Sequence, residues 1–198
     1  MTDGTMDGFD VTACERCPTL VECRSRIVNG VGPTDADLLF VGEAPGESED
    51  EQGEPFVGRS GDVLDEALRD RGLARRDVRI TNCVRCRPPD NRDPTGEELG
   101  NCRPYLAAEL AAVDPAVVVA LGKVPAEHLL GRPVGVTDEA GSLYDARIGD
   151  LTHRVVVCVH PAATLYDPAQ RETLSAALDE AVALVDAGDG GQSRLGEF

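Results

Sequence analysis

Four short apolar runs punctuate the chain, at Asp37–Val41, Val78–Thr81, Ala116–Leu121 and Arg154–Val159. Valine, leucine and isoleucine dominate them without alternating polar positions, the pattern of parallel strands covered on both faces. Between them the hydrophobic period lengthens to that of a helix. Gly61–Arg71 puts Val63, Leu64, Ala67 and Leu68 on one face, and Thr95–Val113 opens with Thr95-x-x-Glu98, the spacing of a capping box. Val124–Leu130 is shorter, and Pro168–Ala187 carries Leu174, Leu178, Ala181 and Leu184 as one stripe. Alternating strands and helices predict an α/β fold, a three-layer sandwich with a central, mostly parallel four-stranded sheet. Ser142–Ile148 reads as a hairpin arm before the last strand. The single core is expected within residues 11–186, with residues 1–10 frayed and residues 187–198, AGDGGQSRLGEF, a flexible Gly-rich tail.

Polar motifs fall where the predicted strands end. The first strand runs into Gly42-Glu43-Ala44-Pro45-Gly46, the second into Asn82, the third into Gly122 and the fourth into His160-Pro161. Open α/β sheets bind ligands beyond the carboxyl ends of their strands, so Glu43, Asn82 and His160 are expected in one site. Taken singly, each is equally a turn residue. His128 and His153 lack such a context and read as surface or packing residues. GEAPG is neither a dinucleotide fingerprint nor a P-loop, and the following ESEDEQGE reads as a solvated loop.

Charge changes the picture in one respect. Asp and Glu number 36 against 19 basic residues, only one of them lysine (Lys123), yet 41% hydrophobic content opposes disorder. Adaptation to molar salt explains this balance, because at about 1 M the Debye length is roughly 3 Å and self-repulsion is screened. The charge therefore speaks of habitat rather than partner. Residues 69–103 stand out, with nine arginines and six acidic residues. No segment has the length of a membrane span, and the acidic start is unlike a secretory leader, so a cytoplasmic protein is expected. Seven cysteines in such a chain favour metal or cluster ligation over disulfides. Cys14-x-x-Cys17 and Cys83-x-x-Cys86 could form a symmetrical zinc site, which would leave Cys102 idle. Four thiolates suit zinc and iron–sulfur equally. Cys23 and Cys158 read as small apolar residues.

The ordered set GEAPG, GEPFVGRSG, ITNCVRCRPPDNRDP, CRPYL, PAVVVALG and HPA resembles the family 4 uracil-DNA glycosylases, the iron–sulfur type of archaea and thermophilic bacteria, over roughly residues 14–185. With the acidic composition, the resemblance is to an enzyme of a halophilic archaeon. Glu43 favours family 4 over family 5, which lacks an acidic residue there. The resemblance implies a uracil-DNA glycosylase-like fold and a monofunctional hydrolase of base excision repair. It implies a 4Fe-4S cluster held by Cys14, Cys17, Cys86 and Cys102, with Cys83 an extra and Cys23 a less favoured substitute. It implies that Asn82 pairs with the uracil edge, that Phe56 stacks on the ring, and that Gly42, Ala44 and Gly46 line the pocket floor. His160 would donate a hydrogen bond to uracil O2, and Glu43 would position or activate the water, with Asn91 as runner-up. Arg85, Arg87 and Arg92 would follow phosphates, with Pro88 and Pro161 shaping the loops that pinch the DNA. Family members often carry Ser at the position of Ala162.

The tail ends in Gln192-x-x-Leu195-x-x-Phe198, which looks like a sliding-clamp binding box with one aromatic instead of two. A plain disordered tail is the competing reading. A monomer is expected. The alternative function is a non-catalytic iron–sulfur or zinc DNA-binding module of the same fold.

Overall fold

The computed structural model describes residues 4–189. Its main sheet contains β3 (Leu38–Gly42), β4 (Arg79–Asn82), β5 (Val117–Leu121), β6 (Leu143–Ile148) and β7 (Leu151–Cys158), in the order β4-β3-β5-β7-β6. β3 is parallel to β4 and β5, β5 is parallel to β7, and β6 returns antiparallel on β7. The sheet thus has five strands instead of four. The fifth is the expected hairpin arm, and its residues alternate between exposed and buried, as an edge strand's do.

The central strands bury both faces. Leu38, Phe40, Ile80, Val117, Val119 and Val156 pack with Leu64 and Leu68 of α3 (Arg59–Arg69) and Leu174 and Leu178 of α6 (Gln170–Asp189). Leu39, Val41, Val118, Ala120, Val155 and Val157 face the other way, onto Leu106 and Leu110 of α4 (Gly96–Val113) and Leu129 of α5 (Lys123–Leu130). Thr95 caps α4, its hydroxyl accepting from the Glu98 amide at 3.2 Å while the Glu98 carboxylate accepts from the Thr95 amide at 2.7 Å.

Three short elements depart from expectation. β1 (Thr5–Asp7) and β2 (Asp10–Ala13) form a hairpin, so the chain is paired from Thr5 onward where fraying is predicted. α1 (Pro18–Cys23) follows the first cysteine pair. The acidic run is a helix, α2 (Glu47–Gln52), and not a loop. Asp50 in it is buried and accepts from the amides of Ser25 and Arg26, which fastens the N-terminal segment to α2.

Much of the arginine-rich stretch braces the interior. Glu109, fully buried on α4, accepts from Arg79 Nε, Arg85 Nη2 and Thr81 Oγ1, each at 2.8 Å. Arg85 also reaches Asn29 and the Phe9 carbonyl, and Arg79 the Gly32 carbonyl. Removing one member of such a network strands the other charges without water. Glu109→Ala is expected to destabilise by about 3–5 kcal/mol. At roughly 2–4 °C per kcal/mol for a chain of this size, thermal unfolding shifts down by about 6–20 °C. A scan showing no shift would mean that the buried guanidinium groups find other partners.

Candidate active site

Parallel strands end on one side of a sheet, and here β3, β4, β5 and β7 stop at Gly42, Asn82, Leu121 and Cys158. The residues that follow meet in a cleft of about 530 Å3 lined by Asn82, Phe56, His160, Asn91, Ala44 and Gly46, together with Glu49, Ser60, Ala162 and Tyr166. That volume suits a small ligand or an extruded nucleotide. Of the residues expected in the pocket, Gly42 lies directly beneath it. A Cβ there would overlap Asn82 Oδ1 and the Phe56 ring, so only glycine lets both approach the strand. Glu43 is half-buried at the side, against Asp93.

Asn82 is 3% exposed. Among the described residues its side-chain amide has no hydrogen-bonding partner, so its donor and acceptor are available to whatever enters the cleft. The Phe56 ring lies 5.7 Å from the His160 ring at an interplanar angle of 27°. Phe56 is buried yet holds φ +56°, a left-handed conformation that costs a bulky residue about 1–3 kcal/mol. Glu49 helps to hold it. One carboxylate oxygen accepts from the amides of Val57 and Gly58 at 3.1 Å, and the other from Gly46 at 3.1 Å. The sequence signal for Glu49 is the Gly46-x-x-Glu49 spacing at the start of a helix, where a carboxylate reaches back to free amides. Ser60 and the 83% exposed Tyr166 at the rim carry no comparable signal.

His160 precedes the 3-10 turn Pro161–Leu165, and its Nδ1 accepts from the Ala162 amide at 3.1 Å. An accepting Nδ1 carries no proton, so the neutral ring has its hydrogen on Nε2. Burial lowers the His160 pKa, against the opposing charge of Glu49, and favours that neutral form. Glu43 moves the other way. Burial, then the charge and hydrogen bond of Asp93, push it up to about 7. Asn91 adopts φ +52° at the cleft mouth, and its Oδ1 accepts from Arg87 Nε at 2.8 Å.

Several residues assigned to DNA are placed elsewhere. Arg85 is 2% exposed and spent on Glu109, so it cannot reach a phosphate. Pro88 and Pro161 are buried and shape their loops without presenting a surface. Arg92 forms a two-point pair with Glu98, at 2.7 and 2.8 Å. Arg87 stays at the mouth, with Glu47 at 3.4 Å.

Cys14, Cys17, Cys86 and Cys102 share one small apolar core with Val11, Leu20, Val84 and Tyr105. Three of these sulfurs accept hydrogen bonds: Cys86 from Arg24 Nη1 at 2.8 Å, Cys17 from Asn101 at 3.4 Å and Cys14 from the Tyr105 hydroxyl at 3.6 Å. Burial raises Cys86 and pushes Cys102 up to about 12, the cost of keeping thiolates there without a cation. Donors aimed at sulfur fit a set of ligating thiolates. Cys83 packs with Leu106 and Leu110 in a larger apolar cluster, apart from the small core that holds the other four, which fits Cys83 as an extra residue and not one half of a symmetrical site. Among the described residues, no three His, Cys, Asp or Glu side chains meet closely enough to hold a single metal ion.

The family model for the uracil DNA glycosylase superfamily matches residues 29–183. The type-4 uracil-DNA glycosylase of Archaeoglobus fulgidus is 41% identical over 167 residues, covering 82% of this chain and 83% of that protein. That of Pyrobaculum aerophilum is 43% identical over 162 residues, 80% and 82% of the two chains. A type-5 uracil-DNA glycosylase of Thermus thermophilus matches less of the chain, 61%, at 34% identity. A match across most of the chain, over a fold whose strand ends assemble this cleft, shows that the protein belongs to the uracil DNA glycosylase superfamily.

Proposed function

We propose that the protein hydrolyses the N-glycosidic bond of deoxyuridine in DNA, releasing uracil and leaving an abasic site for base excision repair. The unpartnered side-chain amide of Asn82, lining one cleft with the Phe56 ring and the His160 imidazole, is the observation that carries this reading. Uracil presents an acceptor at O4 and a donor at N3. One amide answers both, whereas cytosine presents a donor at position 4 and an acceptor at N3. Phe56 supplies a stacking face. As the bond breaks, negative charge gathers on the base, and the Nε2 hydrogen of His160 is preorganised to meet it at O2. The carboxylate of Glu43 orients or deprotonates the water that adds at C1′ and favours the positive charge on the sugar. Arg87 holds Asn91 at the entrance, where the DNA backbone would pass.

Cys14, Cys17, Cys86 and Cys102 would hold the 4Fe-4S cluster of the type-4 enzymes. When bound, it ties the N-terminal segment to the loop after β4, and no step of the hydrolysis draws electrons from it. The acidic surface suits molar salt. The clamp-binding reading of Gln192, Leu195 and Phe198 lies outside the described residues. It predicts that deleting residues 192–198 abolishes clamp capture in a pull-down. Among the described residues, no helix is long and apolar enough to cross a membrane.

Uracil release from a single-uracil oligonucleotide, from low to molar salt, tests the central reading. Iron is assayed in the same preparation. Cleavage supports it; iron-loaded protein inactive at every salt concentration would point to the non-catalytic module. Glu43 adds a pH dependence. With its pKa at about 7, the carboxylate is lost as pH falls through that value, and the rate falls with it. Asp93→Asn removes the neighbouring negative charge and is expected to move this limb to lower pH. A limb that stays in place would show that Asp93 does not act on the group being titrated.

A further inference from the structure

The loop that carries Phe56 into the cleft is pinned from two sides, and one of the pins lies outside every motif of the family resemblance. Arg75 begins the short 3-10 turn Arg75–Asp77 that leads toward β4. Its Nη2 donates to the Pro55 carbonyl at 2.6 Å and its Nη1 to the Phe56 carbonyl at 3.0 Å. Asp65 on α3 steadies the guanidinium, with its carboxylate 3.1 Å from Nη1. The flat fork of an arginine suits two successive carbonyls, and lysine offers only a point charge. Opposite, Glu49 takes the next two amides, of Val57 and Gly58. Gly61 completes the enclosure, since a Cβ there would overlap the Phe56 carbonyl oxygen. Carbonyls 55 and 56 and amides 57 and 58 are therefore all fixed by side chains from outside the loop. A left-handed aromatic residue persists only where its surroundings determine it this fully.

We propose that Arg75 is a positioning residue for base capture: opposed by Glu49, it holds Phe56 left-handed, so that the ring stands ready beside Asn82 and His160 before the nucleotide enters. The inference rests on the reading of the cleft as a uracil site. It assigns Arg75, whose side chain is a quarter exposed, to holding this loop and not to phosphate binding, because both terminal nitrogens are engaged by backbone oxygens.

Kinetics of Arg75→Met and Arg75→Lys on a single-uracil oligonucleotide, with Phe56→Ala and the double variant, test it. Misplacing a reactive geometry by about 1 Å costs up to ~100-fold, so Arg75→Met is expected to lower kcat roughly 30-fold. KM should stay within about threefold, and Arg75→Lys should fall between the two. Acting through Phe56, Arg75→Met adds nothing to Phe56→Ala. Hydrogen–deuterium exchange gives a readout independent of activity: amides 56–58 should exchange about tenfold faster in Arg75→Met, with β3 and α4 unchanged. Wild-type kcat in Arg75→Met, losses that multiply with Phe56→Ala, or unchanged exchange at 56–58 would each overturn the proposal. If the wild type itself releases no uracil, the functional reading is at fault, and the exchange result alone decides whether Arg75 pins the loop.

Discussion

Asn82→Ala is expected to lower uracil release by about 10³-fold, the loss of two buried hydrogen bonds at roughly 2 kcal/mol each. Those bonds matter most in the transition state, where charge spreads onto O4 as well as O2, so kcat should carry most of the loss. The fold should tolerate the change, since the amide supports no other residue among those described. Affinity for DNA should change little, because phosphate contacts dominate it and Asn82 lies at the bottom of the cleft. Gly42→Ala approaches the same interaction from beneath: the added methyl displaces the Asn82 amide and the Phe56 ring together and should cost nearly as much activity. The pairing is measured by single-turnover release from a uracil oligonucleotide alongside filter binding to the same DNA. Asn82→Ala with undiminished release would remove the amide from base recognition. A parallel collapse of DNA binding would mean that it supports the binding surface instead.

The chain declares most of this architecture, and the exceptions have physical reasons. Leu38–Gly42 and Val117–Leu121 are uninterrupted apolar runs because both faces of those strands are covered, so period and burial agree. The polar residue after such a run is easy to see, which is why Glu43, Asn82 and His160 can be placed at one edge without coordinates. The arginines are different. Arg85 and Arg87 stand two apart beside the site and look alike in sequence, yet one is sealed against Glu109 and the other stays at the mouth. Only long-range pairing separates them: Glu109 lies 24 residues beyond Arg85, on the far side of a helix cap. A cluster of positive charge is thus a poor guide to a nucleic-acid surface where the partners are distant carboxylates. The same holds for the acidic run. Glu49 and Asp50 read as solvated charge, but each accepts from amides in a segment that the fold brings close. Cys83 and Cys86 show the limit for motifs, since only two residues of irregular chain separate them and they join different apolar clusters.

His160→Gln should lower kcat by about 10²–10³-fold with KM nearly unchanged, the usual cost of one preorganised donor to a developing anion. The ring is prepared for this before substrate binds. Its Nδ1 is occupied by the Ala162 amide, so the Nε2 hydrogen is the one available, and burial opposes the charged form. Protonation would release the Ala162 contact, turning Nδ1 into a donor that faces a donor, and the ring would lose its fixed orientation. The rate therefore depends on two groups that must both be unprotonated. As pH falls, Glu43 is protonated first, near 7. His160 follows below the ordinary histidine value, because its own pKa is depressed. A plot of log kcat against pH should show a slope near one below about 7, steepening toward two at lower pH. In His160→Gln the second step should vanish while the first remains. A single step that survives the substitution unchanged would assign the whole acid limb to Glu43, leaving His160 to act by position alone. A limb lost with His160 would instead place the histidine pKa near 7, in conflict with the burial that surrounds it.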